Sequence, residues 1–350
     1  MNITLRDIAK QSGVSHATVS MALRNDPRIS LATRNRITAL AATMGYRRDP
    51  DVSALMQHLR TRRERYVRGV LVYLDMRTKA DATYPHLDLH STAATTRASE
   101  LGYEMQILAP CLEGLSDKRL NAVLSTRGIR GVLVGPSPAP QHRLNLNWDP
   151  LAGVMLGHSF TYPPIDRITQ NFFHVPSLAL DRLEAIGAKR IGLVISEWHN
   201  LRTDRQVLAG YVARQQQVPR CHRIPPLVCP GPTIDRAALL RWLQRYRPEA
   251  VLIASRQTYA VQWLWREGIK VPEDLLVALL DLPNPDGRIS GVFQDPIARA
   301  RRGAEYLVMK VEAHERGLPK YPITIQIESR WVEGETTRRP APQHAATASQ

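Results

Sequence analysis

The sequence predicts an α/β protein with a small all-α domain at its N-terminus. Three observations predict it. The first sixty residues carry three short helical patterns with cap and stop residues and no strand pattern. From Gly69 onward, short apolar runs bounded by turn signals alternate with helical stretches, the pattern of parallel sheets covered by helices. The chain of 350 residues also exceeds one folding unit of ~100–200 residues.

Thr4 opens a T-x-x-D pattern: its hydroxyl can cap the first turn while Asp7 meets the positive end of the helix dipole. Leu5, Ile8 and Ala9 then give one apolar stripe to a helix from about Leu5 to Ser12. Gly13 stops it, since glycine takes the left-handed conformation at little cost, and Val14 can enter the core at the corner. Ser15 caps a second helix to about Leu23, with Val19, Ala22 and Leu23 inward and His16, Ala17, Ser20 and Met21 outward. After a turn at Asn25-Asp26-Pro27, Ser30 caps a third helix to Met44, with Ile37, Leu40, Ala41 and Met44 apolar, ended by Gly45. Two short helices at a tight turn over one small core make a helix-turn-helix, whose second helix enters the major groove in DNA-binding proteins. By geometry alone, a plain helical domain fits equally well.

A basic cluster, RTRRERYVR at 60–68, leads into the first apolar run, Gly69–Leu74. Further strand-like runs are Glu104–Leu108, Gly131–Val134, Gly153–Leu156, Arg190–Ile195, Ala250–Ala254 and Leu276–Leu280, with helical stretches such as 177–187 and 236–247 between them. Ligands in such folds bind beyond the carboxyl ends of the strands. Net charge is +15, and residues 1–68 hold 13 Lys/Arg against 5 Asp/Glu, so +8 of it sits in the first fifth of the chain. Basic charge there suits a polyanion. Cys111, Cys221 and Cys229 form no C-x-x-C pair, which excludes a zinc cluster or disulfide framework and suits a reducing cytoplasm. The N-terminus lacks an apolar core like that of a signal peptide, and no run of eighteen apolar residues occurs, so neither export nor membrane insertion is expected. G-x-S-x-G, P-loop, H-E-x-x-H and strand-linked G-x-G-x-x-G patterns are missing, which argues against an enzyme and against a cofactor.

The wording of the first fifty residues resolves the open choice. Thr4-Leu5, Asp7-Ile8-Ala9, Gly13-Val14-Ser15, Thr18-Val19-Ser20, Ala22-Leu23, Thr33-Arg34 and Gly45-Tyr46 form a long ordered match. The run closely resembles the DNA-binding headpiece of the lac repressor (LacI/GalR) family of bacterial transcription regulators. The resemblance implies contacts to double-stranded operator DNA from Thr4, Ser15, His16, Ala17 and Met21, and phosphate positioning by Thr18, Ser20, Asn25 and Arg34. Met21 stands where many members carry a guanine-reading arginine; methionine cannot make that bidentate contact, so a different operator is implied. A hinge helix that folds on DNA is implied too. Asp49-Pro50 supplies its cap and first position, and Leu55 falls on the intercalating leucine, with Met56 the fallback.

ALDRLEAIGAKRIGLV, RQVLAGY, RPEAVLIAS, LWREGIKVPEDLLVALLD and GVFQDP look like the family's effector domain. That domain is similar to periplasmic sugar-binding proteins (type I): two α/β subdomains joined by three crossovers around a small molecule. By position, Arg205, Ser255, Asp281 and Gln294 match effector-contacting sites, Asn171 stands where an Asp is usual, and Phe173 is a candidate stacking residue beside Phe172 and Trp198. Arg256, replacing a usual Asp, suits a carboxylate or phosphate on the ligand or a surface ion pair equally. The expected organisation is a headpiece over 1–48, hinge and basic linker over 49–68, effector domain over 69–334, and a low-complexity tail over 335–350 without leucine heptads. The expected protein is a cytoplasmic homodimeric regulator, most simply a repressor, answering to a sugar, sugar phosphate or sugar acid. A solute sensor sharing only the clamp fold is the alternative.

Overall fold

The computed structural model describes residues 5–23, 28–44, 68–78, 86–255 and 258–338. They fall into two units, residues 1–66 and 67–350. Thr4, Asn25, the hinge with Leu55 and Met56, and Arg256 lie outside the described residues.

In the first unit the described residues form α1 (Leu5–Ser12), α2 (His16–Ala22) and α3 (Leu31–Thr43). Gly13 takes φ +70°, the left-handed turn expected between the first two. The Ser15 hydroxyl accepts from the Thr18 amide at 3.1 Å, and Ser30 does the same for Thr33 at 3.3 Å, so both sequence-predicted caps form. Ile8, Val19, Ala22, Ile37 and Ala41 are buried together, flanked by Ala9, Val14, Leu23, Leu40 and Met44. Five small-to-medium side chains make a thin core, so the caps contribute a large part of the stability of such short helices.

The second unit is built on two six-stranded sheets. The first contains β1 (Val70–Leu74), β2 (Glu104–Leu108), β3 (Gly131–Val134), β5 (Ala152–Leu156), β7 (Asp166–Gln170) and β13 (Thr324–Ile327), ordered β13-β7-β5-β3-β1-β2 and parallel throughout. The second contains β8 (Ile191–Ser196), β9 (Leu227–Cys229), β10 (Ala250–Ala254), β11 (Leu276–Leu279), β12 (Ser290–Phe293) and β14 (Arg330–Val332), ordered β14-β12-β11-β10-β8-β9. Only β14 runs antiparallel there. A short pair, β4 (His142–Arg143) with β6 (Phe160–Tyr162), stands apart.

Helices α4 (His86–Glu100) and α12 (Pro296–Glu312) cover one face of the first sheet through Ala94, Ala98, Ala300, Ala304 and Leu307. Beyond the short α5 (Pro110–Glu113), α6 (Asp117–Thr126) covers the other face through Leu120 and Leu124. In the second sheet α7 (His174–Ala185) and, beyond the short α8 (Glu197–Arg202), α9 (Gln206–Gln215) cover one face, while α10 (Arg236–Tyr246) and α11 (Tyr259–Arg266) cover the other. Burial on both faces explains why the strands read as continuous apolar runs such as Leu71–Leu74 and Ala250–Ala254.

The chain passes between the sheets three times: after β7, after β12, and between β13 and β14. Ordered packing runs past residue 335, where the tail is expected to begin. Thr336 and Thr337 are buried; the Thr336 hydroxyl accepts from the Ser290 amide at 2.9 Å and donates to the Val277 carbonyl at 2.7 Å. Polar side chains with backbone partners on the second sheet are what hold this segment, and low sequence complexity hides that. Among the described residues no helix is long and apolar enough to cross a membrane, and no cluster of His, Cys, Asp and Glu is arranged for a metal.

Candidate DNA-reading helix and ligand cleft

In the headpiece, α2 follows α1 after a three-residue turn, and its cap fixes where it starts. His16, Ala17 and Ser20 fall on α2 by backbone position. Met21 is half-buried, and the Thr18 hydroxyl lies 2.9 Å from that of Ser15, so Thr18 doubles as part of the cap. Arg34 sits one turn into α3, half-buried.

In the larger unit the three passages leave from the carboxyl ends of β7, β12 and β13, so the carboxyl edges of both sheets converge on one cleft. The passages are tied to one another. Gln170 donates through Nε2 to the Gln294 carbonyl at 2.5 Å and accepts at Oε1 from Arg299 Nη1 at 2.5 Å. The other terminal nitrogen of Arg299 reaches His90 Nε2 at 2.6 Å. Arginine only donates, so His90 Nε2 accepts and the ring is neutral. Gln294 passes the chain of bonds on, donating to the Leu280 carbonyl at 2.7 Å. All of Gln170, Gln294, Arg299 and His90 are buried. Asn171 donates to Glu328 at 3.0 Å, tying the first passage to the third, and accepts from the His174 amide at 3.3 Å. Asn171 and Gln294, expected on the wall of a ligand pocket, are thus engaged in holding the passages together, because the chain needs polar partners where its backbone leaves both sheets.

The remaining expected residues stand at strand ends on the second sheet. Ser255 follows β10 and Asp281 follows β11. Arg205 is exposed at the cap position of α9 with φ +59°, and its amide donates to the Asn200 carbonyl at 2.7 Å. Asp204 before it also has positive φ. Phe173 is half exposed, whereas Phe172 is packed in the core of the second sheet. The Phe173 carbonyl lies where a side chain on Gly210 would have to be, 2.2 Å from the ideal Cβ position, which is why RQVLAGY needs its glycine. Across the cleft, Asp75 beyond β1 is buried and grips Arg77 through both oxygens, with Asp88 on the same guanidinium.

Sequence reasoning missed two residues of the first sheet, His158 and Arg167. Arg167 Nη1 lies 3.2 Å from the Gly157 carbonyl and 3.3 Å from His158 Nδ1. Burial, and then the positive Arg167, push the His158 pKa down to about 4. Burial also lowers that of Arg167, partly opposed by Asp204 of the second subdomain. DRITQ does not read as a strand, so nothing in the sequence marked Arg167 as an inward-facing cation.

The family profile of bacterial regulatory proteins, lacI family, matches residues 4–49, and that of the periplasmic binding protein-like domain matches residues 180–337. The HTH-type transcriptional repressor CytR of Escherichia coli K12 is 26% identical over 288 residues, covering 79% of this chain and 80% of CytR. Among solved structures, the transcriptional regulator CelR–cellobiose complex superposes with a TM-score of 0.55 at 20% identity, covering 96% of this chain and 100% of that one. The lac repressor dimer bound to operator and the anti-inducer ONPF gives 0.56 at 17% identity, covering 96% and 99%. At those identities the structures speak for the fold. The assignment rests on the chain's own two domains: residues 4–49 carry the lacI-family headpiece and residues 180–337 the periplasmic binding protein-like domain, so the chain is a DNA-binding transcriptional regulator of the lacI family of bacterial regulatory proteins.

Proposed function

We propose that the protein is a repressor that binds a near-palindromic operator as a homodimer and changes its grip when a sugar or sugar derivative enters the cleft. The observation that carries this reading is the union, in one chain, of a capped helix-turn-helix with a clamp whose three passages are cross-tied by Gln170, Gln294 and Asn171. One helix-turn-helix makes too few base contacts for a specific site, and two-fold symmetry doubles them. Relatives with repressor in their names and solved relatives carrying operator or cellobiose support the same assignment.

In this reading His16, Ala17 and Met21 face base edges, Thr18, Ser20, Asn25 and Arg34 position phosphates, and Leu55 wedges into the minor groove. Thr4 and Ser15 cap their helices against the backbone of the duplex. Arg205, Ser255, Asp281 and Phe173 take the effector from the second subdomain, while Asn171 and Gln294 set how the subdomains swing. The test is selection of binding sites from random duplexes, footprinting of the winner, and a thermal-shift screen of sugars, sugar phosphates and sugar acids, since a specific ligand stabilises by mass action. A two-fold-symmetric footprint weakened or strengthened by one stabilising ligand is expected. A monomer protecting a single half-site with full affinity refutes the dimer.

A further inference from the structure

One charged group on the cleft's first wall forms no ion pair among the described residues. Arg167 lies on β7, its side chain part-buried beside the loop that follows β5. Among the described residues its guanidinium engages the protein through Nη1 only, on the Gly157 carbonyl and His158 Nδ1. Among the described residues no carboxylate lies within 4.0 Å of it. Two other arginines at these carboxyl edges are held among the described residues: Arg77 by Asp75 and Asp88, Arg299 by Gln170 and His90. Buried cations are ordinarily paired, because desolvation is costly otherwise.

His158 adds a second donor at the same corner. Arginine donates, so His158 Nδ1 accepts, and the uncharged ring carries its hydrogen on Nε2. That Nε2 is buried and has no hydrogen-bond partner among the described residues. Two more buried hydroxyls in the same state stand along this carboxyl edge: Thr169, two residues from Arg167 on β7, and Ser137, just beyond β3. Buried polar groups are nearly always satisfied, and donors without acceptors that collect along one strand edge call for an acceptor from outside. A guanidinium with Nε and Nη2 unengaged offers a fork that fits a carboxylate or phosphate.

We propose that the cleft takes an anionic, sugar-sized ligand, whose carboxylate or phosphate group is held by Arg167 with a further hydrogen bond from His158. The proposal rests on the cleft being the effector site and narrows the effector to an acid. A neutral sugar leaves Arg167 without a partner and binds less well than its acid analogue.

The experiment uses the full chain and calorimetric or thermal-shift titration with D-galacturonate, D-gluconate and glucose 6-phosphate against D-galactose and D-glucose. Sodium sulfate is compared with sodium chloride at equal ionic strength as a minimal anion probe. The expected result is saturable stabilisation by sulfate and by at least one acid, with the parent sugar weaker by at least tenfold. Arg167→Met should weaken the anion by roughly 10–100-fold, the scale of a lost charge-assisted pair. Arg316→Met, an equal charge change on an exposed arginine, should leave it unchanged. Arg167→Lys, which keeps the charge and loses the fork, covers the case in which the methionine variant does not fold, and should retain part of the affinity. Galacturonate against glucose 6-phosphate separates carboxylate from phosphate. Three results overturn the proposal: a neutral sugar binding as tightly as its acid, anion affinity unchanged in both Arg167 variants, or sulfate and all acids behaving like chloride. Operator binding by the ligand-free chain, measured alongside, reports separately on the regulator reading.

Discussion

Arg299→Met removes the centre of the buried network that ties the first two passages. The wild-type guanidinium is 6% exposed and donates to Gln170 Oε1 at 2.5 Å and His90 Nε2 at 2.6 Å. Methionine fills much of the volume but strands two buried acceptors, each costing ~1–3 kcal/mol. Relief from burying the arginine's own charge offsets part of this. A net loss of about 2–4 kcal/mol follows, or a fall in Tm of roughly 3–7 °C for a unit of this size. Equilibrium urea unfolding followed by tryptophan fluorescence checks it, with Gln170→Leu and the double variant completing a cycle. Because Gln170 is shared between Arg299 and the Gln294 carbonyl, the two losses should fall short of adding by at least ~1 kcal/mol. A loss below 1 kcal/mol for Arg299→Met, or strict additivity with Gln170→Leu, refutes the network as a unit. The same variant should also broaden the effector response, since a cleft with loosened passages discriminates less between its open and closed states.

Leu55→Ala should weaken binding to the selected operator by tenfold or more while sparing random DNA, because a wedge acts only on a kinked site; equal losses on both DNAs, by fluorescence anisotropy, count against it. Arg205→Ala should abolish the effector's influence on operator affinity while leaving ligand-free operator binding near wild type; a response at unchanged effector concentration sinks the assignment. His158 titrates near pH 4 in the fold against an ordinary 6.5, so the unfolded chain binds its proton first as pH falls. Stability should therefore drop by up to roughly 3 kcal/mol between pH 6.5 and 4 on its account, and His158→Gln should flatten that limb of the denaturation profile.

The parts of this molecule that were legible in the sequence are those where one local rule decides. Ser15, Ser30 and Gly13 mark helix ends by backbone chemistry, and α1 spans Leu5–Ser12 as its apolar stripe requires. The central strands, buried on both faces, read as apolar runs. β7 did not, because Asp166, Arg167, Thr169 and Gln170 are polar, and the burial of Asp166 and Gln170 is licensed by partners far along the chain. Asp166 accepts from Lys310 at 2.5 Å and from the Ile323 amide at 2.8 Å, and no pattern within the strand announces either. The edge strands β9, β13 and β14 are short and half-exposed, so alternation over three or four residues gave too little signal. The cleft was legible only as positions after strands. That Asn171 and Gln294 hold the passages, and that Arg167 faces the ligand side, depends on which passages meet.

The same geometry bears on how a cleft can influence the linker. β1 begins at Val70, two residues after Arg68, and ends beside Asp75 at the cleft edge, a span of about 17 Å at ~3.3 Å per residue. α12 begins at the second passage and runs back about 25 Å at ~1.5 Å per residue. Its last turn carries Glu312, which pairs with Arg68 at 2.8 Å. Two stiff elements thus join the cleft to the start of the effector domain. The Arg68–Glu312 pair is nearly half exposed on both sides and contributes at most ~1 kcal/mol, too little to carry the response. Coupling between effector and operator is typically ~1–3 kcal/mol, and the group at the cleft end of α12 able to supply that much is the buried Arg299–Gln170–Gln294 set. Ligand need not deform β1 or α12. It is enough that the passages have two arrangements, that the ligand prefers one, and that α12 moves as a rod with Arg299 near its head and Glu312 at its foot.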